Sequence, residues 1–275
     1  MKPLEQSGLE NRRSSIRGCG GFSLVEMVVA VGITAMIIVG LMAMFNQTSR
    51  TLRSGSDQAE VMESGRLVME FFTREIQQAA ASGLTSVVNF YGTRIQGAQP
   101  LDQAGAPPYD MEAVFYLNQF NTNWLGIGYF IDPVGNGLGT LYRYVSNSHH
   151  LAVGNLFTNF LSEAGAFPNA PNMHRLADNV VHLEMHFYDT NGVMLPNMTT
   201  PNLIKSNNFA MFMNDTLPAY VEVELGLMEP SVAARVNGWP PASARAYLQD
   251  ARRAGAVYLF RQRIPIRSAL AAAQQ

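Results

Sequence analysis

The feature that most constrains this chain is an uninterrupted apolar run from Phe22 to Phe45, FSLVEMVVAVGITAMIIVGLMAMF. It contains one formal charge, Glu26, and no proline. As a helix rising about 1.5 Å per residue it spans roughly 36 Å, more than a hydrocarbon core of about 30 Å. A cleaved secretory signal has an apolar region of only about 7–15 residues and a small-residue exit after it. This run is longer and has no such exit, so it is expected to be retained as a helix. Lys2, Arg12, Arg13 and Arg17 precede it and outnumber Glu5 and Glu10, and only Arg50 and Arg53 follow closely. That bias places the N-terminus in the cytoplasm and the rest of the chain across the membrane.

Glu26 needs an explanation. A carboxylate at the centre of a membrane helix costs about 2.5–3.5 kcal/mol, and less near an end. Two readings stand side by side. In one, it lies at headgroup level in the first turn, favoured by the helix dipole. In the other, it meets an amine created by cutting the chain just before Phe22.

The 275 residues suit one domain plus this anchor; 47% are hydrophobic, 15% are charged, and the net charge is −2. No basic stripe is present to follow a phosphate backbone, so nucleic acid is not an expected partner. Cys19 is the single cysteine, so no disulfide can form within the chain. It lies before the apolar run, the reverse of a lipoprotein signal.

After Phe45 the pattern continues as helix to about residue 81. Val61, Gly65, Val68, Phe72 and Ile76 share one face, the spacing of a stripe that packs on a core. Ser54-Gly55-Ser56 is a weak point, because glycine costs about 1 kcal/mol in a helix interior. From Ser82 the period changes to two, with Gly, Pro and Asn punctuation. Strands are expected at residues 113–117, 127–131, 141–145, 179–188, 219–227 and 256–264. The pair 127–131 and 141–145 forms a hairpin, and Asp189-Thr190-Asn191-Gly192 forms a tight turn. Residues 97–110, 146–177 and 196–216 read as long loops, and 231–253 as holding a short helix. The fold class is therefore α+β: one long N-terminal helix packed on a mainly antiparallel sheet.

Few residues suggest chemistry. His182, Glu184 and His186 alternate onto one strand face, opposite Val181, Leu183, Met185 and Phe187. Imidazoles flanking a carboxylate are metal-ligand types, but the spacing is not the H-E-x-x-H of a helical zinc site. A solvated strand face is expected. His149-His150 falls in a loop. Asp102, Asp110, Asp132, Asp178, Asp189 and Asp215 form no dense run of the kind that collects six to eight oxygens around calcium. No nucleophile–base set or phosphate loop is evident, so no catalytic residue, metal or other cofactor is expected, and the chain does not read as an enzyme.

Gly21-Phe22-Ser23-Leu24-Val25-Glu26, followed by the apolar helix and preceded by a basic leader, resembles the type IV prepilin signature. The resemblance implies cleavage by prepilin peptidase between Gly21 and Phe22 and N-methylation of Phe22. It also implies that Glu26 pairs with the N-terminal amine of a neighbouring subunit during assembly. Residues 1–21 would be the leader, 22–45 the transmembrane and assembly helix, 46–81 its amphipathic continuation and 82–275 a β-rich globular domain. There are two departures. Arg17 is separated from Gly21 by Gly-Cys-Gly, and Ala43 stands where many major pilins carry a helix-kinking proline.

The later segments SGRLVMEFFTREIQQAA, VVHLEMHFYDTNG, LPAYVEVEL and VYLFRQRI resemble the larger minor pilins, closest to pseudopilin J of type II secretion and PilW-type pilins. What this implies is a minor pilin or pseudopilin that joins the tip of a secretion pseudopilus or type IV pilus. The alternative is an adhesion or DNA-uptake pilin whose loops meet an external ligand. Implied partners are prepilin peptidase, other minor pilins or pseudopilins, and the inner membrane. The chain would cross that membrane once, with its body in the periplasm, before entering the pilus or pseudopilus.

Overall fold

The computed structural model describes residues 23–94, 112–133, 138–166, 170–248, 250 and 255–272. Helix α1 (Leu24–Ile76) passes Ala43 and Ser54-Gly55-Ser56 without a break and ends before residue 81. Contacts divide the chain into two compact units, Met1–Leu52 and Arg53–Gln275. In the first, every described residue from Ser23 to Thr48 is exposed.

Among the described residues, the second unit carries ten strands and the remaining helices. In chain order they are β1 (Val88–Arg94), β2 (Glu112–Phe120), β3 (Asn123–Pro133), β4 (Gly139–His149), α2 (Gly154–Gly165) and β5 (Met173–Tyr188). Then come β6 (Met198–Thr199), β7 (Leu203–Lys205), β8 (Phe209–Met213), β9 (Tyr220–Met228), α3 (Pro230–Val236), α4 (Pro241–Leu248), β10 (Val257–Pro265) and α5 (Arg267–Ala272). All strand pairs are antiparallel, in one sheet of order β10-β9-β5-β4-β3-β2-β1-β8-β7-β6. The class is α+β, and a long N-terminal apolar helix with an antiparallel sheet is compatible with a pilin-like architecture.

The sheet is curled. Phe187 of β5 meets Phe90 of β1 and Phe212 of β8 at ring-centroid distances of 5.6 and 5.5 Å, although three and four strands respectively lie between them in the order. Edge-to-face pairs of this kind contribute about 0.5–1.5 kcal/mol each beyond their area. The concave core they close also receives α1. Val61, Gly65, Val68, Phe72 and Ile76 are all buried there, so the helical stripe read from the spacing packs on the sheet of its own body. Gly65 is required by close approach: a Cβ at that position would lie 2.2 Å from the Phe260 ring.

A buried ionic group fixes the end of α1. The Glu75 carboxylate accepts from Arg143 Nε at 3.1 Å and from the Tyr129 hydroxyl at 2.6 Å. Asn118 Nδ2 donates to the Glu75 carbonyl at 3.1 Å, and Ala80 N–H donates to the Leu117 carbonyl at 2.8 Å. The Glu75 carbonyl, at the helix end, also accepts from the Gln78 N–H at 3.1 Å, so Asn118 adds a second donor to it.

The expected hairpin is present, with Ile127 opposite Val145 and Ile131 opposite Leu141. Two expectations are corrected. Residues 146–177 are not a loop: β4 runs on to His149, a turn of 3-10 helix covers His150–Ala152, α2 follows, and β5 begins at Met173. Leu156 and Phe160, one helical turn apart, bury α2 on the convex face, and Phe160 would collide with a Cβ at Gly128. Residues 196–216 hold β6, β7 and β8 rather than a loop. Residues 231–253 begin within α3 and include α4; Val232, Val236 and Leu248 cover Val181 and Met228. Within the expected loop 97–110, every residue lies outside the described ones.

Candidate functional site

Gly21 and Phe22, the residues of the expected cleavage and methylation, lie outside the described residues. Glu26 occupies the first turn of α1. Its Oε2 accepts a hydrogen bond from the Ser23 backbone N–H at 2.9 Å. This is the return half of a capping box, in which a glutamate at the third helical position satisfies the N–H of the capping residue. The S-x-x-E spacing of Ser23 and Glu26 is the signal in the sequence that marks this helix start. A carboxylate has two oxygens and about four lone-pair sites, so capping one N–H leaves capacity for a cation.

Around Glu26, Leu24, Val25, Met27 and Val28 are between 61% and 80% exposed. The helix that follows is long and apolar enough to cross a membrane, with mean hydropathy 2.6 over its best window. Thr34, the other polar residue between Leu24 and Phe45, donates its hydroxyl to the Ala30 carbonyl at 2.8 Å. That internal bond removes its need for water. The segment thus has one group, the Glu26 carboxylate, that carries charge into an apolar surface.

A second group of polar and charged side chains lies on the face of β5, β9 and β10 that points away from α1. Asn179, with φ +56°, puts a left-handed residue where β5 exchanges partners. Residues up to Val180 pair with β4, and residues from Val180 onward pair with β9. A bulge between Val180 and His182 corrects the expected alternation: Val180 joins Leu183, Met185 and Phe187 in the core, while Val181 turns to the opposite face.

On that opposite face the strands bring rows of side chains together. His182 stands opposite Gly226, Glu184 opposite Glu224, and His186 opposite Glu222. β10 adds Arg261 beside Glu224 and Arg263 beside Glu222. The solvated face expected for His182, Glu184 and His186 is not found. The His182 side chain is 5% exposed and that of Glu184 is 16%. His182 Nε2 lies 3.8 Å from Glu224 Oε2 and 4.0 Å from Glu184 Oε2, and His186 Nε2 lies 3.6 Å from Glu184 Oε1. Arg261 Nε reaches Glu222 Oε1 at 2.8 Å and Glu224 Oε1 at 3.0 Å. Arg263 stacks over Tyr188 and Tyr220 at 4.2 and 4.7 Å. The sequence showed the β5 half of this cluster. The β9 and β10 half depends on register, which spacing along one strand does not supply.

The remaining candidates are dispersed. His150 Nε2 lies 3.1 Å from the Ser82 carbonyl. Asp178 holds Arg175, at 2.7 Å from its Nε. Asp189 closes the turn before Gly192, accepting from the Asn191 and Val193 N–H groups at 3.0 and 2.7 Å. Asp102 and Asp110 lie outside the described residues. A scan against protein-family models matches no family, and a search of curated proteins returns no relative.

Proposed function

We propose that this chain is a structural subunit of a membrane-assembled filament: a minor pilin or pseudopilin, cut between Gly21 and Phe22, methylated on Phe22 and built into the tip of a secretion pseudopilus or pilus. The observation that carries the reading is the apolar first half of α1, exposed from Ser23 to Thr48, with one carboxylate in its first turn. The stripe from Val61 to Ile76 is already buried in the body, so the surface left for other subunits is the N-terminal segment. Before assembly the bilayer covers that segment. In the filament, the corresponding helices of neighbours cover it.

On this reading Glu26 has two tasks. It caps its own helix through Ser23, and it meets the amine of a neighbouring subunit. In a low dielectric the attraction is strong but desolvation offsets much of it, so the pair sets register and recruitment more than stability. Glu26→Gln separates the tasks, because the amide oxygen still accepts the Ser23 N–H while the charge is lost. The variant is expected to insert, to be cut normally and to keep the melting temperature of the body. Its co-purification with co-expressed minor subunits should fall several-fold. Undiminished co-purification would remove the amine pairing from the account and leave Glu26 as a helix cap at headgroup level.

A further inference from the structure

We infer that His182, Glu184 and Glu224 form a binding site for a divalent first-row transition ion, zinc being the best match, bracing β5 to β9 on the face away from α1. This goes beyond the assembly role and does not depend on it. The three ligand atoms lie within 4.8 Å of one another, and His182 is almost fully buried. Around a tetrahedral zinc with bonds of about 2.0–2.1 Å, neighbouring ligand atoms stand about 3.3 Å apart. The separations of 3.8 and 4.0 Å are a few tenths of an ångström wider than that, a gap that side-chain rotation closes. Neither separation is a hydrogen bond, which for nitrogen and oxygen needs about 3.2 Å or less. The imidazole thus stands between two carboxylate oxygens at close to ligand spacing.

Four features of the surroundings point the same way. Glu184 and Glu224 are directly opposed across the ladder, where like charges destabilise a sheet unless something positive joins them. Arg261 engages Oε1 of Glu224 and Oε1 of Glu222, which leaves Glu224 Oε2 as the oxygen nearest His182. Gly226, opposite His182, admits the imidazole: a Cβ there would lie 2.9 Å from His182 Cβ. His186, 3.6 Å from the other oxygen of Glu184, is placed as the outer partner that orients a ligating carboxylate. One imidazole and two carboxylates favour zinc and its neighbours, whereas calcium would need at least six oxygens. A fourth position remains for water.

The test is zinc binding by the full-length chain in detergent micelles, stripped with chelator, then measured by titration calorimetry and by metal content after desalting. The wild type should retain one zinc per chain and melt at a higher temperature with zinc than without, since a ligand bound only by the folded state stabilises it. Glu184→Gln and Glu224→Gln keep the shape and relieve the like-charge contact, so both should fold, as circular dichroism would check. Each should lose affinity by more than the roughly 10–100-fold expected for His186→Gln, the outer partner. His149→Gln should bind as the wild type does. A wild type that retains no zinc would overturn the proposal. So would zinc retained equally by Glu184→Gln and Glu224→Gln.

Discussion

Glu75 anchors the end of α1, and its partners give the body a distinctive response to alkali. Burial pushes the Tyr129 hydroxyl well above its ordinary range, and the neighbouring Glu75 charge adds to the rise. Tyr116, next to it, is raised in the same way, by burial first and then by Tyr129 and Glu75. Arg143 is pulled down by burial but lifted further by Glu75, so it stays charged. A tyrosine whose folded value exceeds its unfolded one contributes stability that is complete below about pH 10 and is lost above it. Each such tyrosine should lower stability by about 1.4 kcal/mol per pH unit in that range. Tyr129→Phe removes a buried hydrogen bond and should cost about 1–3 kcal/mol at pH 8. The gap to wild type should then narrow above pH 10, because the variant has one proton fewer to release on unfolding. Denaturant melts at pH 8 and pH 11 would measure this, and a gap that stays constant would contradict it. Glu26 was legible in the sequence because it is the single charge in an apolar run. Glu75 was not, since an acidic residue beside Ile76 looks like any solvated helix position, and the arginine that explains it lies 68 residues away.

Among the elements, α1 was the most legible, because its stripe repeats over several turns and every member is buried. Gly65 tests that packing directly. Alanine gains up to about 1 kcal/mol of helix propensity over glycine. Its Cβ would lie 2.2 Å from Phe260, and forcing extra volume into a packed contact costs about 1–3 kcal/mol. Overpacking wins, so Gly65→Ala should lower the melting temperature of the body, by about 1–2 kcal/mol in stability; an increase would mean that Phe260 yields freely. The elements that escaped are short or interrupted. Two buried residues, Leu156 and Phe160, carry α2 between Gly154 and Gly165, too few to establish a helical period. Strands β6 and β7 have two and three residues, below the length at which alternation is visible. At Asn179 the left-handed residue and the following bulge split β5, so a reader sees only the half that begins there.

For the whole molecule, the governing fact is apolar surface left uncovered within the first unit. Large side chains such as Leu24, Met36 and Phe45 are 73–81% exposed, and each would gain about 1.5–3 kcal/mol by burial. On the proposed reading a bilayer, or the helices of other subunits, supplies that burial, and processing between Gly21 and Phe22 links the two settings. Intact-mass analysis of the chain extracted from membranes and from the assembled fraction therefore tests the central claim. The account predicts a single species that begins at Phe22, carries one added methyl group and contains no cysteine, because Cys19 has left with the leader. An assembled form that still carries residues 1–21 would contradict it.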